Sequence, residues 1–431
     1  MAEKRLWKTK PLECWTKAKE VKKARFNGIT TAHERGELAC LWGLGVEAGF
    51  GNTCHSITGE HYGANSANMG LSEEFGEAAE AKGYARDVCA YMRVNLGSMF
   101  LNKYAFGGPF PKIDFVARTH HCDTHAKWAL VEAEFLKVPY YCTEGAETNQ
   151  FDSVQSQKNK VDYVIGQTLD AIEWMEKTTS RKFDDEAYIK DMYHHAHTQN
   201  LWGQVILMNQ HIPAPLDEKT MFSFYQLSGY EGGDEIYRML RDEVADRVRN
   251  EIAAVATERY RVMHVSQPIW HALSNFRYIQ KYGAVSVGSR YCFGMGGGTM
   301  LKGEIEVAVP TLEEQGIVIK TREDAIRAMV ERRFVSDGTG RSHRYVGQVS
   351  REAQVRMARL WHCDGAIMHM NRGCEGWAIG EPQIRLALQE NNIPVLSYEG
   401  NVADSREFDE ARTRARIDAF FESQGLEKLE D

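Results

Sequence analysis

Three of the nine cysteines stand where a thiol could do chemistry. Cys374 lies in HMNRGCEGWAIG (369–380), between Gly373 and Gly376, where backbone can approach a ligand closely. Cys122 lies in VARTHHCDTH, among His120, His121, Asp123 and Thr124, which is not a core composition. Cys89 lies in YARDVCAYMRVNLG, on an expected helix. No CxxC occurs, so neither a zinc ribbon nor a thioredoxin motif is available. Nine scattered thiols in a reducing compartment do not form disulfides. Separate thiols that converge can hold an iron–sulfur cluster. Thiols are equally common as small buried core residues. Spacing alone leaves both readings open.

The elements that hold these residues follow from hydrophobic pattern. KIDFVAR (112–118), VPYYCTE (138–144), YRVMHVS (260–266), AVSVGSR (284–290), DGAIMHM (364–370) and IPVLSYEG (393–400) read as buried strands. HAKWALVEAEFLK (125–137), IWHALSNFRYIQKYG (269–283), REAQVRMARLWHC (351–363), EPQIRLALQENN (381–392) and EARTRARIDAFFESQ (410–424) read as helices, and TREDAIRAMVERRF (321–334) marks a charged amphipathic stretch. Residues 72–100 have helical spacing broken at Gly83, and 158–255 are almost wholly helical. Strand–helix alternation with short connections argues for parallel sheets. The expected fold class is α/β, with two Rossmann-like doubly wound lobes flanking a cleft. The expected organisation is a helical N-terminal arm (1–40), a first lobe (41–157), a helical segment (158–257) and a second lobe (258–431). Open α/β sheets bind ligands beyond the carboxyl ends of their strands. Cys122 and Cys374 follow strands there, one in each lobe.

Composition narrows the class. A length of 431 residues suggests two to three domains. The net charge of −8 argues against general nucleic-acid binding. No run approaches the ~18 apolar residues of a membrane span, and MAEKRLWKTKPLECW lacks a signal-peptide core. A cytoplasmic protein is expected. His194, His195 and His197 sit on one helix without HExxH or zinc spacing. No GxSxG elbow occurs, and neither GxGxxG nor a Walker pattern supports nucleotide binding.

The long-range pattern resembles the 2-hydroxyacyl-CoA dehydratase / benzoyl-CoA reductase family over about residues 40–425. The resemblance is carried by LWGLGVEAGFG, YGANSANMG, EAKGYARDVCAYMRVNLG, THHCDTHAKW and CDGAIMHMNRGCEG. Its most specific part is RLALQENNIPVLSYEGNVADSREFDEARTRARIDAFFE at the end. NRGCEG is most similar to the large B- or O-type benzoyl-CoA reductase subunit. The resemblance implies a [4Fe–4S] cluster in the cleft, held by three cysteines with one iron open to another ligand. By motif these are Cys89, Cys122 and Cys374. Cys89 is preferred over Cys54 because C-x-x-x-R…G matches the family's helix. The resemblance also implies a related smaller subunit as heterodimer partner, ATP-hydrolysing iron–sulfur activator subunits, and reduced ferredoxin as indirect donor. The implied reaction is reduction of benzoyl-CoA to a cyclohexadiene-carbonyl-CoA. The alternatives are radical (R)-2-hydroxyacyl-CoA dehydration, or a partner subunit that relays electrons without binding an aryl- or acyl-CoA. In the glycine-rich stretch 51–70, expected as a loop, and just before it, Glu47, Glu60 and His61 are candidate proton donors or substrate contacts. Solvated loop positions or subunit contacts are the bland alternative. Trp270 is a candidate for packing against the acyl or aryl group, or a core tryptophan. SRYCFGMGGG (289–298) is a glycine loop able to cradle a phosphate of coenzyme A.

Overall fold

A computed structural model describes residues 6–120, 122–145, 152–225, 227, 230, 232–295, 297–335 and 348–429. His121 and Gly296, both named above, lie outside them. The apolar runs form two four-stranded sheets, all parallel. The first is ordered Cys54–Ile57, Leu38–Gly43, Phe115–His120, Tyr140–Glu144. The second is ordered Val395–Gly400, Gly365–Asn371, Tyr260–Val265, Ala284–Ser289. Each sheet therefore has a reversal of strand order, which opens a crevice at the carboxyl ends of its strands. The earliest strand of each sheet has a left-handed residue at its carboxyl end: Trp42 (φ 72°) within Leu38–Gly43 and Ser266 (φ 78°) just after Tyr260–Val265. Both strands occupy an interior position of their sheet.

Burial explains why the strands were legible. Tyr260–Val265 and Ala284–Ser289 are buried at every position, as sheets covered on both faces require. One continuous apolar core joins Leu41, Ile57 and Val116 of the first sheet to Met263, Val285 and Met368 of the second. The outer face of the first sheet (Leu38, Cys40, Phe115, Ala117) packs on Val161, Ile165, Ile172 and Met192 from the long helices Val154–Thr179 and Asp185–Met208. The outer face of the second (Val262, Ile367, Leu396) packs on Ile417 and Phe421 of the helix Glu410–Ser423. No described helix is long and apolar enough to cross a membrane.

Four local expectations are corrected. Residues 51–70 are not a loop: Cys54–Ile57 pairs with Leu38–Leu41, and Gly59–Asn68 is a helix. Its glycines serve packing, since a Cβ at Gly59 would fall 2.3 Å from the Trp128 ring and one at Gly63 2.8 Å from Tyr91. The 72–100 stretch splits into the helices Ser72–Glu80 and Ala90–Phe100, and Cys89 precedes the second rather than lying within it. Gly83 at φ 95° forbids a continuous helix. Residues 269–283 form three short turns, Trp270–Ala272, Asn275–Tyr278 and Ile279–Tyr282. The Trp270 amide bonds Val402 O (3.1 Å) rather than starting a long helix. Within the glycine loop 289–298, Arg290–Met295 is helical, and an antiparallel hairpin, Thr299–Lys302 with Ile305–Ala308, follows.

Candidate functional site

Cys122 follows the strand Phe115–His120 and Cys374 follows Gly365–Asn371, and each opens a helix, Asp123–Leu136 and Glu375–Ala378. Cys89 opens the helix Ala90–Phe100. All three thiols thus sit where helix amides lack intrahelical partners. The structure brings them together: Cys89 feels the charge of Cys122, and Cys374 feels both. Gly373, at φ 73°, turns the chain so tightly that a Cβ there would lie 3.0 Å from Asp87 O, just ahead of Cys89. Burial pushes the Cys89 thiol up to about 12 and Cys374 well above the ordinary range. The amides of Met92, His125 and Trp377 each act on the sulfur three residues earlier and favour thiolate. Burial also opposes the Cys122 thiolate, but the His125 ring and amide outweigh it and lower the thiol.

A charged relay abuts Cys122. His125 Nε2 stands 3.1 Å from Glu60 Oε1, and Arg118 donates to His125 Nδ1 at 2.7 Å. The Arg118 guanidinium also lies 4.3 Å over the Trp42 ring, whose Nε1 donates to the buried Glu132 at 2.6 Å. Burial works against the Glu60 carboxylate, yet His125 and Arg118 hold it down at about 2. Burial likewise disfavours the His125 imidazolium, and Glu60 with Cys122 overcomes it, raising the ring to about 9. An imidazolium has no lone pair for Arg118. A neutral ring accepts this 2.7 Å contact at Nδ1, so charging the ring must displace Arg118.

Behind this lies a cavity of about 850 Å³. Trp15, Lys19, Lys22, Lys23 and Phe26, one face of the helix Trp15–Gly28, form one wall. Lys219 and Arg277 line the same cavity from outside that helix. Burial, Arg277 and Lys19 lower the Lys219 ammonium against the pull of Asp217, the carboxylate that lines the same cavity. Burial pulls Lys22 down to about 7. The inner wall is aromatic: Phe222, Tyr225 and Trp270, with His61 against Tyr225. Burial lowers His61 to about 4. Trp270 Nε1 donates to Tyr91 Oη at 2.5 Å, two residues beyond Cys89, so the cavity floor backs onto the thiols.

The remaining candidates fall elsewhere. Glu47 accepts from the Leu44 (2.6 Å) and Gly45 (3.0 Å) amides just past the strand Leu38–Gly43. Cys54 lies in the core beside Cys40. His194, His195 and His197 lie on the helix Asp185–Met208. Among the described residues no three His, Cys, Asp or Glu side chains close on a point suited to a single metal ion. Arg118, His125, Tyr91 and the lysine face were not singled out from sequence. The lysines at 19, 22 and 23 had a usable signal, helical spacing on one face.

The profile of a family described as 2-hydroxyglutaryl-CoA dehydratase, D-component, matches residues 51–423. The chain is similar to the (R)-2-hydroxyisocaproyl-CoA dehydratase alpha subunit of Clostridioides difficile, 25% identical over 374 residues, 84% of each chain. It is similar to the (R)-phenyllactyl-CoA dehydratase alpha subunit of Clostridium sporogenes, 23% identical over 382 residues (86% of this chain, 83% of the relative). It is also similar to a benzoyl-CoA reductase subunit of Thauera aromatica, 22% identical over 429 residues (94% and 93%).

Proposed function

The chain belongs to the 2-hydroxyglutaryl-CoA dehydratase D-component family, and on that premise we propose that it is the cluster-bearing, thioester-binding subunit of an aryl-CoA reductase of the benzoyl-CoA type. The observation that carries this is one continuous path: a cation-lined cavity, an aromatic inner wall, and three convergent thiols behind it. The donor set suits a [4Fe–4S] cluster on Cys89, Cys122 and Cys374. It offers three thiols at three open helix ends, and a multi-iron group needs no single point common to its ligands. When bound, such a group supplies one-electron transfer at low potential.

The chain's own residues do the rest. Lys19, Lys23, Lys219 and Arg277 bind the phosphates of the coenzyme A arm as charge-assisted donors. Phe222, Tyr225 and Trp270 take the apolar acyl end and exclude water. Arg118, held on Trp42, orients His125, and His125 with Glu60 fixes a proton next to Cys122. A related smaller subunit, an ATP-hydrolysing activator and ferredoxin complete the reading as partners. The second reading is (R)-2-hydroxyacyl-CoA dehydration, favoured by the dehydratase alpha subunits among the relatives.

Anaerobically purified protein is expected to carry about four irons per chain, as the cluster type requires. Cys89→Ala, Cys122→Ala and Cys374→Ala should each lower that content, and Cys54→Ala should not; equal loss in Cys54→Ala refutes the ligand set. Net electron consumption with benzoyl-CoA supports reduction. Water loss from a 2-hydroxyacyl-CoA without net electron use gives the reaction to the second reading.

A further inference from the structure

The helix Trp15–Gly28 carries Lys17, Lys19, Lys22 and Lys23. Lys17 pairs with Glu235, and Lys19 lies 3.4 Å over the Trp15 ring of its own helix. Lys22 reaches the inner wall of the cavity instead. Its Nζ donates to Phe222 O at 2.7 Å and stands 5.2 Å from the centre of the Tyr225 ring. Both residues belong to the aromatic wall that takes the acyl end in the reading above. That reading gives Lys19, Lys23, Lys219 and Arg277 to the phosphates and leaves Lys22 without a role.

Among the described residues no carboxylate forms an ion pair with Lys22. The titratable groups around it are the Tyr225 phenol, the Cys292 thiol and the His61 ring, with Arg25 from its own helix acting on the same ring. Burial holds Tyr225 and Cys292 in their neutral, protonated forms. None of these groups supplies a negative charge to an ammonium. A lysine placed so gives up its proton readily, and burial brings Lys22 down to about 7. About half of such amines are uncharged at neutral pH, against about one part in 10³ for an ordinary lysine. A neutral amine that donates one N–H to Phe222 O keeps its lone pair, since a carbonyl oxygen has no use for it. A desolvated neutral lysine on an apolar wall is an activated nucleophile.

We propose that Lys22 is an acylation site, modified by the acyl-CoA thioester that binds in the same cavity. The proposal rests on the thioester-binding reading of that cavity and is the same for reduction and for dehydration. The Lys22 nitrogen attacks the thioester carbonyl carbon. A C–N bond forms, the C–S bond breaks, and the proton shed by nitrogen goes to the departing sulfur. The products are an amide on Lys22 and free coenzyme A, with nothing oxidised or reduced. The amide carries no charge, and its acyl group lies on the wall formed by Phe222 and Tyr225. A second acyl group then has no place to sit, so a thioester that lingers unconverted closes its own site.

The test incubates the intact complex with benzoyl-CoA and no electron donor. Peptide mass spectrometry follows the acyl group, chromatography follows free coenzyme A, and equilibrium dialysis measures thioester binding. Lys22 should be labelled about 10²-fold faster than the exposed Lys82, from its larger neutral fraction and its bound acyl donor. One coenzyme A should be released for each amide formed, and the rate should saturate where binding does. Excess free coenzyme A should protect Lys22 and leave Lys82 unaffected. Lys22→Arg keeps the charge and removes the nucleophile, so the fast labelling should vanish; if that variant does not fold, protection by coenzyme A gives the same readout. Labelling of Lys22 no faster than of Lys82, in a complex that binds benzoyl-CoA, overturns the acylation and leaves the cavity reading standing. A complex that binds no benzoyl-CoA overturns both.

Discussion

Asp404→Ala should loosen the whole cleft. Asp404 lies beyond the strand Val395–Gly400 of the second sheet, and Arg93 lies on the helix that Cys89 opens. Their side chains are 2% and 1% exposed and meet at 2.8 Å. Arg406 Nη2 also reaches Asp404, at 2.7 Å, and both arginines bond Glu80. Removing one partner of a buried pair strands the other's charge and costs about 3–5 kcal/mol. Arg93 retains Glu80, so we expect the lower end, about 3 kcal/mol, roughly a hundredfold in the unfolding equilibrium. The assay is the urea midpoint at unchanged slope, with Arg93→Met and the double variant closing a cycle. Burial opposes the Asp404 carboxylate, but Arg406 and Arg93 hold it far below the usual range. Its contribution is therefore present above the unfolded value near 4 and lost as pH falls through the lower folded value. The loss in Asp404→Ala should be constant from about pH 5 to 8 and shrink in acid. A change within about 0.5 kcal/mol at pH 7, the range of ordinary surface substitutions, would refute the reasoning.

Lys23→Gln with Lys219→Gln should raise KM for the thioester about tenfold at low salt, less at high salt, with kcat unchanged, because screening weakens exposed charge contacts; steady-state kinetics at two ionic strengths checks it. Burial raises Glu132 to about 8, so it is folded as the neutral acid. The unfolded acid ionises near 4.3, so this position costs stability increasingly from that pH up to about 8. Glu132→Gln should raise Tm relative to wild type more at about pH 8 than at about pH 5. Gly97→Ala would place a Cβ 1.7 Å from Phe75 O, a backbone atom that cannot swing away. Thermal unfolding should show a loss of about 1–3 kcal/mol or more from overpacking.

The buried parallel strands were readable because both faces are covered, which concentrates apolar and small residues in stretches such as DGAIMHM and AVSVGSR. The strands Leu38–Gly43 and Cys54–Ile57 were not. Cys54–Ile57 is four residues long with a half-buried middle, and LACLWG straddles the expected limit of the arm. Glycines in 59–68 looked like flexibility and proved to be contact with Trp128 and Tyr91. At the site, the thiols could be named from their unusual neighbours. Of their partners only Glu60 was named; Arg118, His125 and Tyr91 come from a separate strand and two helices that only the tertiary fold brings together.

The distribution of the three thiols along the chain sets a timetable. Cys122 and Cys374 open helices beyond strands of different sheets and lie more than two hundred residues apart. At a synthesis rate of about 5–20 residues per second, the first two thiols wait roughly 10–50 s for the third to be made. The second sheet must then fold before Gly373 can seat its turn on Asp87 and Val88. Loading of any group that needs all three sulfurs is therefore an event of the finished chain. A group bound by all three would tie the two sheets into a closed loop of chain.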